Sequence, residues 1–348
     1  MPDAISFLNN CISQQRSVVG ASSLANDPSR EQYPVWEYLP YVNDPVFQKA
    51  LSSILEKHAV TEVYTPNPPV WNLLSQLLPK TAPTVKLLGD QPVNEMLAGH
   101  RSSKRVANLL WMHRDFLAVD TTAKPRMTRA QFDAMVHHAN TIPGMCDHQK
   151  MLALSEVFRE SPGGDVVEIG SWWGKSAFIL AYLAKTYNIG KLLCVDPWSN
   201  THALQDVSML DGMADVMSAE EAHQVFLTNL IPYSDGHINF LREPSVVAAT
   251  QYRSSANVYS PAFGKTNYAG KIALLHIDGN HKEVEVNADL RAWGDLVVKG
   301  GWVVFDDYKW PYGNGPRMVA DRFIAENANS IARAFFMGGA MFIQLSAQ

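Results

Sequence analysis

Two short runs carry most of the chemistry this sequence can do. His276-Ile277-Asp278-Gly279-Asn280-His281 ends one apolar stretch, and Asp306-Asp307-Tyr308 follows another, Val303-Val304-Phe305. If both stretches are neighbouring parallel strands, Asp278, Asp306 and Asp307 converge at their C-terminal tips. Three unpaired anions so close would repel one another and desolvate badly, and a cation is the natural remedy. Oxygen ligation suits a hard ion such as Mg²⁺, which keeps waters and open positions for substrate oxygens. The plainer reading makes the same acids solvated loop residues or helix caps. A hydroxyl held by such an ion gives up its proton more easily, and a nearby base can take it. Asp278, His281 and Lys282 are the candidates. His281 has an ordinary pKa of about 6.5, suited to the task, but could equally be a surface histidine opening a helix.

A second motif points to a nucleotide-type ligand. The run Val166-Val167-Glu168-Ile169-Gly170-Ser171-Trp172-Trp173-Gly174-Lys175-Ser176 reads as a strand, a glycine turn and a helix start. In a doubly wound sheet, ligands bind beyond the carboxyl ends of the strands, where the strand order reverses. Gly170 and Gly174 would let the backbone turn tightly and approach a ligand. A dinucleotide fingerprint would need glycine where Trp172 stands, and a P-loop would need one more residue between the glycines. Leu192-Leu193-Cys194-Val195-Asp196 then ends in an acid 28 residues after Glu168. Such an acid can accept hydrogen bonds from both ribose hydroxyls, in NAD as well as in other nucleoside cofactors.

The elements that must position these residues follow from the pattern. Apolar runs at 165–170, 191–196, 236–241, 272–278 and 301–306 predict buried parallel strands. Helical stretches fall between them, at about 174–188, 220–230, 244–252, 282–298 and 315–328. Two further strands flank Gly338-Gly339 as a hairpin. The expected fold class is therefore α/β, a Rossmann-like sheet of parallel strands finished by an antiparallel hairpin with one reversed edge strand. Upstream, strands near 17–20, 62–65 and 85–88 alternate with helices at 44–58, capped by Asp44, and after Pro68-Pro69. A long helix is expected from about 93 to 117. This predicts a smaller N-terminal α/β domain over 1–130 and a second domain over 131–348. Two stretches are candidates for shaping specificity: residues 199–219, with Met209, Met213 and Met217, and an insertion at 253–270, with Tyr259, Phe263 and Tyr268.

The spacing E-x-G-x-x-x-G from Glu168 to Gly174 resembles the first motif of class I S-adenosylmethionine-dependent methyltransferases. Residues from about Met145 to Phe342 resemble the macrocin O-methyltransferase-like family, whose relatives methylate sugars and aminocoumarins, and the related cephalosporin hydroxylase-type proteins. The matching pieces are Glu168–Ser176, Ile277-Asp278-Gly279 and, most specifically, Gly300-Gly301-Trp302-Val303-Val304-Phe305-Asp306-Asp307-Tyr308. The resemblance implies S-adenosylmethionine as cofactor, held by Glu168, Gly170, Ser171, Gly174, Ser176, Asp196, Trp198, Ser245 and Asp278. Of these, Ser245 would lie beside the adenine, although serine there is also a natural N-cap. It further implies that Asp278, Asp306 and Asp307 bind Mg²⁺, that Asp278 acts as a base, which ranks it first and His281 second, and that the substrate binds through adjacent hydroxyls. Residues before 130 lie outside it; they loosely resemble the α/β layer that precedes ATP-grasp domains, but no such body follows.

Composition narrows the partners. A net charge of −5 argues against a nucleic-acid ligand held by phosphate neutralisation. No apolar run reaches about 18 residues, so no membrane span is expected, and no signal-peptide pattern opens the chain. Cys11, Cys146 and Cys194 are an odd set without metal spacing, consistent with free thiols and a cytoplasmic setting. The expected partner is a small-molecule acceptor, with a homo-oligomer left open. Alternatives are a metal-independent N-methyltransferase, another enzyme on this scaffold, or a binding module that keeps the cofactor pocket. An oxygenase would favour two histidines in a facial triad, and just past the strand tips only His281 is offered.

Overall fold

A computed structural model describes residues 2–117, 123–202, 204–205, 211–212 and 216–347. The chain divides into two compact units, Met1–Arg101 and Ser102–Gln348. The first alternates helix and strand: α1 (Pro2–Ser13), β1 (Val19–Ser22), β2 (Val35–Tyr38), α2 (Phe47–Lys57), β3 (Glu62–Val63), α3 (Pro68–Thr81) and β4 (Lys86–Leu87). Strands β1 and β2 pair in parallel, as do β3 and β4. Phe47, Leu51 and Leu55 recur at four-residue spacing on α2 and meet Leu74 and Leu78 of α3 in a small core. Asp44 was expected to cap α2, but the helix starts three residues later. Its carboxylate accepts instead from Val46 N at 2.9 Å, a local turn that asparagine and aspartate favour before a helix. Helix α4 (Pro92–Met112) stops five residues short of the expected end.

The second unit holds the doubly wound sheet. Helices α5 (Arg129–Thr141) and α6 (His148–Glu160) precede β5 (Asp165–Ile169), α7 (Lys175–Thr186), β6 (Leu192–Val195), α8 (Ala219–Leu230) and β7 (Ile238–Leu241). Then come α9 (Ser245–Ser254), β8 (Asn257–Ser260), β9 (Gly264–Asn267), β10 (Ile272–Ile277) and α10 (Glu283–Trp293). The chain closes with β11 (Val297–Phe305), α11 (Gly315–Glu326), β12 (Ile331–Met337) and β13 (Ala340–Leu345). Position 130/131 falls inside α5. Side-chain caps start several helices: Thr128 makes a full capping box with Gln131 on α5, and Asp147 caps α6.

Seven strands pair in the order β12-β13-β11-β10-β5-β6-β7. The expected five parallel strands and the C-terminal hairpin are both present. The reversed strand, however, is not at the edge: β13 inserts antiparallel between β11 and β12, and β12 forms the rim. The reason is burial. The first four residues of β13 are buried, whereas β12 alternates between half-buried and exposed, so the more apolar strand takes the inner position. Residues of α5, α6, α7 and α8 pack on one face and residues of α9, α10 and α11 on the other. With both faces covered, the strands read as continuous apolar runs.

The insertion at 253–270 was expected beside the ligand, and it is not there. Strands β8 and β9 form an antiparallel hairpin against the beginnings of the sheet strands. Tyr268 Oη donates to Leu192 O at 2.7 Å, and Gly270 N donates to Asp165 Oδ2 at 3.0 Å. Buried Asn239 of β7 donates to Gly264 O at 2.9 Å and to Thr266 Oγ1 at 3.2 Å. All three anchors are at the N-terminal ends of strands, opposite the rim where α/β ligands bind. Phe263 and Tyr268 are buried core residues. Among the described residues no helix is long and apolar enough to cross a membrane, and the three cysteines are buried free thiols.

Candidate functional site

Register brings the strand tips level. Ile169 pairs with Val195 on one side and Ile277 on the other, and Ile277 pairs with Phe305. The next residues along each strand, Gly170, Asp196, Asp278 and Asp306, therefore line one rim. Backbone bonds continue the ladder one step past the strands: Gly170 N to Val195 O at 2.8 Å, Asp278 N to Ile169 O at 2.8 Å, and Asp306 N to Ile277 O at 2.9 Å. The strand order reverses between β5 and β10, so Gly170 and Asp278 flank the switch point.

Gly170 has φ +84°. A Cβ there would stand 2.5 Å from Asp278 C and 2.7 Å from Gly279 Cα, so this glycine is required by close backbone approach as well as by its torsion. Gly174 has a different task. Its missing Cβ faces Leu230 Cδ2 at 2.6 Å, which seats the start of α7 against α8. Between them Ser171 Oγ donates to Glu168 Oε2 at 2.7 Å. Glu168 is fully buried and its other oxygen lies 3.3 Å from His276 Nδ1, so it braces the turn from below. Ser176 is buried in the first turn of α7.

Asp196 engages the same turn. Its Oδ2 accepts from Ser171 N at 3.0 Å and Trp172 N at 2.9 Å, and its Oδ1 accepts from Trp198 N at 2.7 Å. Burial raises its carboxyl pKa against the pull of these three donors. Each carboxylate oxygen has two acceptor positions, so these bonds fill Oδ2 and leave one position, on Oδ1, for a hydroxyl. Trp172 and Trp198 carry φ of +43° and +40°, rare for tryptophan and a sign of a backbone held by its surroundings. Trp198 itself was expected near the cofactor. Its ring is instead buried against His223, Phe226 and Phe240 with Nε1 donating to Trp172 O at 2.9 Å, so it packs the core beneath the turn. Ser245 Oγ accepts from Trp293 Nε1 at 3.0 Å, which ties α9 to α10.

The acids divide into two groups. Ligand atoms of Asp278, His281 and Asp307 all lie within 4.8 Å of one another, as do those of His276, Asp278 and Asp306; the three aspartates together form no such group among the described residues. Asp307 Oδ2 is 3.1 Å from His281 Nε2, and the His281 ring stands edge-on to Trp310 at 4.4 Å. Burial lowers His281 to about 4, leaving the imidazole neutral at pH 7, and burial with Asp306 raises Asp307 to about 6. With Nε2–H turned to Asp307, Nδ1 carries the lone pair, and it has no hydrogen-bond partner among the described residues.

Asp306 faces a residue that the sequence reading missed. Lys150 of α6 makes a direct ion pair with Asp306 Oδ2 and lies 3.7 Å from Asp278 Oδ2, with only 1% of its side chain exposed. Burial opposes its charge, yet Asp306, Cys146 and Asp278 outweigh that and hold the ammonium above its usual range. Asp306 in turn sits well below the usual carboxylate range, against burial, because of Lys150 and His276. The signal in the sequence is a single lysine before the apolar run Met151-Leu152-Ala153-Leu154, which any amphipathic helix could carry. In the stretch expected to shape specificity, Met209 and Met213 lie outside the described residues. Its described part meets the β10 tip, with Asn280 Nδ2 donating to Leu204 O at 2.8 Å and His281 N to Gln205 Oε1 at 2.9 Å.

Residues 167–308 match a family model described as a methyltransferase domain. The C-terminal unit has the class I methyltransferase fold. Its parallel strands with one reversed inner strand are the S-adenosylmethionine-binding arrangement of that class. Among solved structures the chain is similar to the O-methyltransferase NovP, at 17% identity over 56% of this chain and 79% of that one, TM-score 0.40. It is similar to the calicheamicin methyltransferase CalS11 at 15% identity over 74% and 94%, TM-score 0.42. A third is the Podospora anserina methyltransferase PaMTH1, at 13% identity over 71% and 96%, TM-score 0.39. No curated protein matches the chain by sequence.

Proposed function

We propose that this protein transfers a methyl group from S-adenosylmethionine to a hydroxyl of a sugar or a hydroxylated natural product, assisted by a divalent cation such as Mg²⁺. One observation carries the reading: the Gly170 turn and the acid-bearing tip of β10 are in backbone contact. A nucleoside cofactor at the turn and an acceptor at Asp278 would then be neighbours, as an in-line displacement requires. The cofactor supplies an electrophilic methyl group, and sulfur takes the electron pair of the broken C–S bond. A cation bound nearby would make the acceptor hydroxyl more acidic. Asp278 and Asp307 fit as its carboxylate ligands, since Mg²⁺ is commonly held by one or two carboxylates plus water.

His281 and Asp278 are the bases proposed for the acceptor proton. His281 is favoured by Asp307, which orients the ring through Nε2, and by an Nδ1 without a partner among the described residues. Gly170, Ser171 and Asp196 are proposed to hold the cofactor, with Glu168, expected from the sequence to touch it, bracing the turn from below, and Gly174, Ser176, Trp198 and Ser245 supporting the turn and the helices around it. The hydroxylated acceptor is the part that rests on sequence resemblance. Residues 1–130 are proposed as an accessory α/β region and 131–348 as a catalytic domain. A metal-independent transfer is the second reading, favoured by the ammonium of Lys150 among the acids.

Isothermal titration with S-adenosylmethionine, in EDTA and then with Mg²⁺, tests cofactor and metal together. The expected result is binding in both conditions, followed by turnover of a hydroxylated acceptor only with Mg²⁺. Absence of cofactor binding would sink the proposal, and full turnover in EDTA would favour the second reading.

A further inference from the structure

We propose that Lys150 is a resident counter-cation for Asp306, taking that carboxylate out of the divalent-ion ligand set and leaving the ion to Asp278 and Asp307. This rests on the metal-assisted reading of the same site. Lys150 is the third residue of α6, whose first turn is fixed by Asp147: its Oδ1 accepts from Gln149 N at 2.6 Å and Lys150 N at 3.4 Å. Every residue of α6 from Lys150 to Phe158 is buried. The ammonium therefore cannot run out to water as most lysines do.

The β12–β13 turn packs on the start of the same helix, where a Cβ on Gly338 would stand 2.8 Å from both Asp147 Oδ1 and Lys150 Cα. An ammonium on a side chain only 1% exposed is costly without a partner, and Asp306 is the partner in direct contact. Asp307 is turned away towards His281, with φ +49° at its own backbone. His276 points at the remaining acid: it is fully buried, its Nε2 has no hydrogen-bond partner among the described residues, and that atom lies 4.0 Å from Asp278 Oδ2. Lys150 cancels the formal charge of Asp306, so Asp278 and Asp307 are the carboxylates left to face an ion.

The test follows Mn²⁺ binding to the full chain by the loss of its free-ion paramagnetic resonance signal. The wild-type protein is expected to bind, and Asp307→Asn to weaken binding about tenfold or more. The double variant Lys150→Met with Asp306→Asn deletes both charges together and is expected to stay within about threefold of wild type. Lys150→Met alone frees Asp306 and is expected to bind about tenfold more tightly, as an added carboxylate should. A double variant that loses as much as Asp307→Asn overturns the proposal. So does Lys150→Met that binds no more tightly, or a wild-type protein that binds no Mn²⁺. Circular dichroism reports folding; Lys150→Met that folds only with Mn²⁺ present supports the proposal, because its three carboxylates then need the ion. Titration of S-adenosylmethionine in EDTA reads the methyl-transfer proposal separately, since no ion takes part.

Discussion

Replacing Gly170 by alanine tests whether the cofactor turn and the acid tip act as one unit. Two costs are legible in the structure. A non-glycine residue at φ +84° costs about 1–2 kcal/mol. The new Cβ would also overlap the backbone of Asp278 and Gly279, and overpacking against rigid backbone costs about 1–3 kcal/mol. A total near 3 kcal/mol corresponds to a fall of about 6–12 °C in Tm for a unit of this size. Gly236→Ala is the control: it has φ +69° with nothing within 4 Å, so it should lose only the torsional part, about 2–8 °C, and melt above Gly170→Ala. Scanning calorimetry reads both variants, and titration with S-adenosylmethionine should show binding to Gly170→Ala weakened by about tenfold or more, the equivalent of 1.4 kcal/mol. Equal melting of the two variants, or unchanged cofactor affinity in Gly170→Ala, would refute the reasoning.

Two further outcomes are expected. Burial raises the Asp289 carboxyl to about 7, although Ser245 donates to it. Its folded pKa is above its unfolded value, so the native state binds that proton more tightly, and stability is lost as pH rises from about 4 through 7. Asp289→Asn should therefore melt higher than wild type at pH 8 and equally at pH 4; a gap independent of pH would contradict this. Asn239→Ala removes the buried amide that bonds Gly264 O and Thr266 Oγ1, and should cost about 1–3 kcal/mol. Cofactor affinity in Asn239→Ala should be unchanged, because the hairpin is at the far end of the strands; a tenfold loss of affinity would bring the 253–270 segment back to the ligand rim.

Much of the fold was legible from local pattern. The strands at 165–169, 192–195, 238–241 and 272–277 fall where continuous apolar runs predicted them, because two-sided burial leaves that mark on parallel strands. The Gly338-Gly339 hairpin and the Gly170 turn were readable because positive φ selects glycine. The inner position of β13 was not readable, since sheet order depends on which surfaces remain to be covered after the parallel strands assemble. The location of the 253–270 hairpin depended on Asn239, Asp165 and Leu192, residues distant in sequence whose bonding capacity has no local signature. Trp198 illustrates the same limit: an aromatic residue just past a strand tip can face a ligand or the core, and here Phe226 and Phe240 claim it.

The acids show where the division falls. The sequence by itself determined that Asp278, Asp306 and Asp307 stand at strand tips, because strand ends are set by short-range hydrophobic pattern and the α/β topology aligns them. Only the tertiary structure decided how they are shared. Asp307 turns to His281, and Asp306 is held by Lys150 from a helix more than a hundred residues upstream. Electrostatic pairing in a buried site acts over a few ångströms of space and is indifferent to distance along the chain, so a lysine that looks ordinary in its helix becomes the cation at the centre of the cluster.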